Sequence, residues 1–273
     1  MSEINQAPIG VFDSGVGGLT VAREIMRNLP NEEIVYFGDT ARVPYGSKSK
    51  ETVLRYARQI ERFLRTQNVK AIVIACNTAS AMALEELTAE IDIPIIGVIE
   101  PGARVAAGTT KNKRVGVIAT AATIGSETYT RCLKQLDPEI EVLDKACPLL
   151  CPLVEEGWLK DPVTDEVIHR YLESLLQQDI DTLILGCTHY PLLRSNMQKA
   201  VGKEVTLVNP AYETAVELGR LLEKEGIANQ GNREGKPCHS FFVSDAEQRF
   251  NDFANTILPL DVTSTKQINI EEY

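Results

Sequence analysis

The stretch Ala71-Ile-Val-Ile-Ala-Cys76-Asn-Thr-Ala79 decides the fold once it is set beside Thr182-Leu-Ile-Leu-Gly-Cys187-Thr-His-Tyr190. Each is a short apolar run ended by a cysteine, with a threonine within the next two positions. Runs this short and apolar on both faces read as strands buried on both sides, as in a parallel sheet. Upstream, Ile9-Gly-Val-Phe-Asp13-Ser-Gly15 precedes Cys76 much as Val115-Gly-Val-Ile-Ala119-Thr-Ala121 precedes Cys187. Two similar halves in one chain are the economical explanation.

Working outward, residues 34–37, 95–98, 140–143, 205–208 and 241–243 also read as strands. Helical patterns lie between the strands. Val53, Ala57, Ile60 and Leu64 recur at helical spacing. Pro162, followed by Val163, Val167, Tyr171 and Leu175, reads as a helix with proline in its first turn. The alternation predicts an α/β fold: two pseudo-symmetric, open, mainly parallel-sheet domains facing each other across a cleft. The expected division is 1–98 plus 210–273 against 99–209. The tail is too short for a third domain, so it is expected to pack back on the first. It should hold a helix over 213–224 and a strand over 241–243. Residues 229–236 read as an exposed loop and the last ten as frayed.

The chain has 273 residues, 44% hydrophobic and 24% charged, and a formal net charge of −10. That is ample apolar material for a core. A net negative chain without a basic stripe argues against nucleic acid as the main partner. No apolar run approaches the roughly 20 residues that span a bilayer, and the polar N-terminus shows no signal region. A soluble, cytoplasmic protein is expected. The six cysteines, at 76, 132, 147, 151, 187 and 238, form no CxxC pair. Cys147-Pro-Leu-Leu-Cys151 has no second half, and His169, His189 and His239 add no ligand spacing. No metal site is expected, and Cys132, Cys147, Cys151 and Cys238 read as small buried hydrophobes.

In open α/β sheets ligands bind beyond the carboxyl ends of the strands, where both repeated cysteines stand. Facing halves would place one thiol on each wall of a single cleft. A racemase needs that arrangement: one group removes a proton from a carbon while the other delivers a proton to the opposite face. Thiols suit the task because their ordinary pKa, about 8.5, lies near working pH. A helix N-terminus behind each cysteine is expected to favour the thiolate. The loop Asp13-Ser-Gly-Val-Gly-Gly18 follows a strand and opens a helix. Thr20 stands where a dinucleotide fingerprint needs glycine. Its backbone amides suit a carboxylate, while Asp13 repels phosphate. The chain contains no P-loop sequence. No lysine stands at a predicted strand end for a Schiff base, so no pyridoxal phosphate or other cofactor is expected.

Four motifs in register carry a resemblance. Phe12-Asp-Ser-Gly-Val-Gly-Gly-Leu19, Gly38-Asp-Thr-Ala-Arg-Val-Pro-Tyr-Gly46, Ile74-Ala-Cys-Asn-Thr-Ala79 and Leu185-Gly-Cys-Thr-His-Tyr-Pro-Leu192 together resemble the bacterial glutamate racemases. These belong to the wider aspartate/glutamate racemase superfamily, and the likeness runs from about residue 8 to 214. The resemblance implies cofactor-independent interconversion of L- and D-glutamate to supply peptidoglycan synthesis, in a homodimer. It implies that Cys76 takes the α-proton from D-glutamate and Cys187 from L-glutamate. Asp13 then assists Cys76, His189 assists Cys187, and Glu155 is an acidic residue near the site. Substrate contacts map to Asp13, Ser14, Pro44, Tyr45, Gly46, Asn77, Thr78, Thr120, Thr123 and Thr188. The loop holding Thr120 and Thr123 has alanine before each threonine, where the family more often has glycine.

Plainer readings stand beside these roles. Asp13-Ser14 also reads as a helix cap, His189 as a surface histidine, Glu155 as part of a charged solvated stretch with Glu156, and Tyr45 as a turn aromatic. Two other functions also fit: racemisation of another amino acid such as aspartate, and a binding module that holds a dicarboxylate without chemistry.

Overall fold

The computed structural model describes residues 3–231 and 237–273. In chain order its strands are β1 (Ile9–Asp13), β2 (Ile34–Gly38), β3 (Ala71–Ile74), β4 (Ile95–Gly97), β5 (Arg114–Ala119), β6 (Glu141–Ala146), β7 (Thr182–Gly186), β8 (Thr206–Val208), β9 (Ser240–Val243) and β10 (Thr265–Gln267). The helices are α1 (Leu19–Asn28), α2 (Lys50–Thr66), α3 (Asn77–Glu90), α4 (Ile99–Thr109), α5 (Ala121–Gly125), α6 (Thr128–Leu136), α7 (Leu150–Glu155), α8 (Pro162–Leu176), α9 (Arg194–Val201), α10 (Pro210–Lys224) and α11 (Glu247–Ile257).

A six-stranded sheet runs β10-β9-β2-β1-β3-β4 and a four-stranded sheet runs β6-β5-β7-β8. Every strand pair in them is parallel. The α/β architecture read from the strand–helix alternation is therefore present, and the repeat is visible in the pairing. β1 lies beside β3 with Phe12 opposite Ile74, and β5 lies beside β7 with Ala119 opposite Gly186. That register places Asp13 and Ser14 next to Cys76, and Thr120 next to Cys187. β1, β2, β3 and β7 are buried along their whole length, as strands covered by helices on both faces must be.

The helices follow their apolar spacing. Val53, Ala57, Ile60 and Leu64 form the buried face of α2. In α8 the sequence gives the helix but not its face. Thr164, Ile168, Leu172 and Leu175 are buried, while Val163 is exposed. The chain carries two interleaved apolar rows there, and packing selects one.

The tail joins the first sheet through β9 and β10, while α10 packs against α1 and α4. The helix expected over 213–224 begins earlier, at Pro210. Asn209 caps it, its side chain accepting from the Ala211 amide at 3.1 Å. The frayed C-terminus is corrected. Thr265–Gln267 pairs with β9, the Ile268 amide donates to Val243 at 2.9 Å, and Ile270 is buried. The Tyr273 and Phe63 rings meet at 5.3 Å. Residues 229–231 of the expected loop are irregular; 232–236 lie outside the described residues. Among the cysteines expected to be buried, Cys147 is buried, Cys132 and Cys151 are half-buried and Cys238 is exposed. Away from the cleft, Lys70 is fully enclosed. It meets Glu32 at 2.6 Å and donates to the Asn5 and Ile227 carbonyls at 2.8 and 2.9 Å.

Candidate active site

β1 and β3 end at one wall of a cleft. Asp13 closes β1 and is wholly buried. One carboxylate oxygen accepts from the Gly15 amide at 3.0 Å; the other has no hydrogen-bond partner among the described residues. Burial raises its pKa above the usual carboxylate range, against the opposing pull of His189. Cys76 follows β3 and caps α3, its sulfur accepting from the Ala79 amide at 3.4 Å. Its thiol donates to Ser14 Oγ at 3.6 Å. The helix terminus favours the thiolate, but burial wins and, with nearby Asp13, pushes the thiol up to about 12.

The opposite wall is built differently. Cys187 follows β7, and only a short 3-10 turn, Tyr190–Leu193, stands behind it. The expected helix N-terminus is present at Cys76 and absent at Cys187, where His189 supplies the positive charge instead. His189 Nδ1 lies 3.7 Å from Cys187 Sγ, and Nε2 lies 3.0 Å from Glu155 Oε1. Burial works against a charged imidazole, but the sulfur and the carboxylate outweigh it and hold His189 up to about 10. The hydrogen bond to His189 in turn lowers the Glu155 pKa. Glu155 Oε2 also lies 3.7 Å from Arg249 of α11. The Cys187 thiol is raised by its contact with Cys151, 3.4 Å away, and by burial.

Between the walls lies a cavity of about 220 Å³. Ser14, Pro44, Tyr45, Gly46, Cys76, Asn77, Thr78, Thr120, Glu155, Cys187, Thr188 and His189 line it. Asp13 and Thr123 stand one layer behind. The Thr78, Thr120 and Thr123 hydroxyls form a cluster with separations of 2.9 to 3.2 Å. Thr78 opens α3 and the other two come from α5 and its cap, so the cluster stitches the halves together. Asn77 accepts from the Tyr129 hydroxyl at 2.7 Å.

Tyr45 lines the cavity, but its buried hydroxyl donates to Asp39, so its proton is not available to a ligand. Asp39 also holds Arg42 at 2.7 Å and Ser244 at 2.8 Å. This fixes the loop carrying Pro44, Tyr45 and Gly46. Gly46 seats against Thr120, where a Cβ would come within 2.8 Å. Gly17 is tighter: a Cβ there would meet Thr188 Oγ1 at 2.4 Å and His189 Nδ1 at 2.6 Å. The glycine loop thus lets the first half close on the second.

Sequence reasoning missed two features. Cys151 stands on the wall beside Cys187. Asp39 and Ser244 anchor the loop that forms the cavity mouth. The motif Gly38-Asp-Thr held the signal for Asp39; Cys151 had none, since only folding brings α7 to Cys187. Among the described residues, Cys151, Cys187 and His189 are the group whose donor atoms could share a metal ion. No lysine lines the cavity among those residues.

The model of the Asp/Glu/hydantoin racemase family matches residues 9–218. The chain belongs to that family. Its members are isomerases, and the resemblance read from the four motifs is thereby shown. A curated glutamate racemase from Geobacter metallireducens is 48% identical over 96% of this chain and 97% of its own. Solved relatives agree. A glutamate racemase from Bacillus anthracis superposes with a TM-score of 0.91 at 43% identity, over 96% of this chain and 97% of its own. One from Francisella tularensis, solved in complex with D-glutamate, gives 0.91 at 37% identity, over 98% and 100%. No helix among the described residues is long and apolar enough to cross a membrane.

Proposed function

We propose that this racemase interconverts L- and D-glutamate by passing protons between Cys76 and Cys187, without a cofactor. One observation carries the reading: two thiols line one cavity from opposite halves of the fold, each at the carboxyl end of a central strand. The glutamate racemases among its relatives support the choice of substrate.

The chemistry follows from the environments of the thiols. An α C–H is a very weak acid, so its removal needs a strong base and a stabilised carbanion-like transition state. A thiolate whose pKa is raised by burial is such a base. From D-glutamate, Cys76 thiolate takes the α-proton on one face. The carbanionic carbon then takes the Cys187 proton on the other face. This leaves L-glutamate, a Cys76 thiol and a Cys187 thiolate. His189, held protonated by Glu155, stabilises that thiolate. The reverse direction exchanges the roles. Asp13, one layer behind the wall and with one oxygen that has no partner among the described residues, serves the Cys76 side and attracts the substrate ammonium from there. The cavity also offers hydroxyls of Ser14, Thr78, Thr120 and Thr188 and the amide of Asn77, groups suited to the two carboxylates. Thr123 backs Thr120, and Pro44, Tyr45 and Gly46 shape the mouth.

The same reading divides the chain into 1–98 plus 210–273 and 99–209. It further assigns a cytoplasmic homodimer that supplies D-glutamate for peptidoglycan; these last assignments rest on the family resemblance. The deciding experiment is L-glutamate in heavy water. The product should be D-glutamate carrying one deuterium at Cα. Binding of glutamate with no exchange at Cα would refute the reading.

A further inference from the structure

Cys151 passes no proton in the chemistry above, yet its sulfur lies 3.4 Å from that of Cys187. With His189 Nδ1, itself 3.7 Å from Cys187 Sγ, these donor atoms all fall within 4.8 Å of one another. A tetrahedral zinc, with Zn–S about 2.3 Å and Zn–N about 2.0 Å, sets its ligands roughly 3.5–3.8 Å apart. The Cys187–His189 pair falls within that range, the two sulfurs need to part by a few tenths of an ångström, and Cys151 Sγ and His189 Nδ1, within 4.8 Å of each other, need to draw closer by up to about 1.3 Å.

The surroundings fit as well. His189 turns Nδ1 to the sulfur while Nε2 is held by Glu155 at 3.0 Å, the carboxylate–histidine pairing that fixes a metal-binding imidazole. Two thiolates and one neutral imidazole balance a divalent charge. Arg249, 3.7 Å from the other Glu155 oxygen, faces that carboxylate. All three donor residues line the cavity, which leaves the fourth coordination position open to water or a carboxylate.

We propose that Cys151, Cys187 and His189 form a site for a soft divalent cation of the zinc class, and that its occupation silences the racemase. The metal takes the Cys187 sulfur and the His189 imidazole out of proton transfer, and on binding each of the two thiols and the protonated His189, at Nδ1, releases a proton to solvent. The inhibitory half rests on the reading of the preceding subsection; the binding half does not. A disulfide between the same two sulfurs would leave the histidine and its carboxylate without a part, so the three-ligand geometry favours the metal.

The test uses the full chain, reduced with a phosphine and titrated with Co²⁺. One equivalent should bind with a thiolate-to-cobalt charge-transfer absorption. Racemase activity should fall in step and return on chelation. Cys151→Val and Cys151→Ser should lose the absorption, bind cobalt at least about a hundredfold more weakly and keep whatever racemase activity they have when cobalt is added, while Glu155→Gln should weaken binding about 10–100-fold. Wild-type protein without the absorption, or both Cys151 variants with it undiminished, overturns the site. So does a Cys151–Cys187 disulfide that persists after the phosphine. If the absorption appears but metal-free protein never racemises glutamate, the site stands and the functional reading falls.

Discussion

Gly17→Ala probes how tightly the two halves must close. The added Cβ would sit 2.4 Å from Thr188 Oγ1 and 2.6 Å from both Cε1 and Nδ1 of His189, where ordinary contact begins at 3.4 Å. The histidine ring must therefore retreat by about 0.8 Å, or the glycine loop must shift as far in the other direction. The ring is not free to yield, because Glu155 holds one nitrogen at 3.0 Å and Cys187 faces the other at 3.7 Å. A misplacement of about 1 Å at a reacting group costs on the order of a hundredfold in rate, or about 2.7 kcal/mol of barrier. We expect kcat to fall by about that factor in both directions; Gly17 has no left-handed backbone conformation to lose, so the loss of stability is that of the overpacked contact, about 1–3 kcal/mol. Circular dichroism of the product and deuterium incorporation at Cα measure the rate. Activity within threefold of wild type (about 0.7 kcal/mol) would show that this contact positions nothing.

Cys76→Ala and Cys187→Ala should each lose racemisation of both enantiomers by at least about 10²–10⁴-fold, because either direction needs one base and one acid; polarimetry from each enantiomer checks this. His189→Asn should lower kcat more from L-glutamate, and Asp13→Asn more from D-glutamate. The ratio of kcat/KM values must stay near one in both, so the asymmetry appears in the separate parameters of progress curves; equal effects in both directions would undo the pairing of assistants to thiols. His189 is raised from 6.5 to about 10 in the fold, so its stabilising contribution is complete below pH 6.5 and is lost as pH rises through about 10. Urea midpoints of wild type and His189→Asn should therefore converge across that window. Lys70→Ala leaves the Glu32 carboxylate buried without its cation. It should cost about 3–5 kcal/mol in chemical denaturation while kcat is unchanged.

Much of this molecule is legible in its sequence because the signals are local. A strand covered on both faces must be apolar on both faces, so residues 71–74 and 182–186 declare themselves, and a cysteine ending each marks the carboxyl edge where ligands bind. The internal likeness of the two halves gives the doubled α/β plan, and the four motifs give the family. Tertiary structure alone decided contacts between segments distant in the chain. β10 reads Thr-Lys-Gln, with no apolar signal; its backbone pairing with β9 makes it a strand. The Tyr45 hydroxyl turns to Asp39 because that carboxylate is already fixed by Arg42 and Ser244, a residue of the tail. Cys151 is 36 residues from Cys187 along the chain and 3.4 Å from it in space. No periodicity records that distance, because it depends on how α7 and the β7 end pack around a shared cavity.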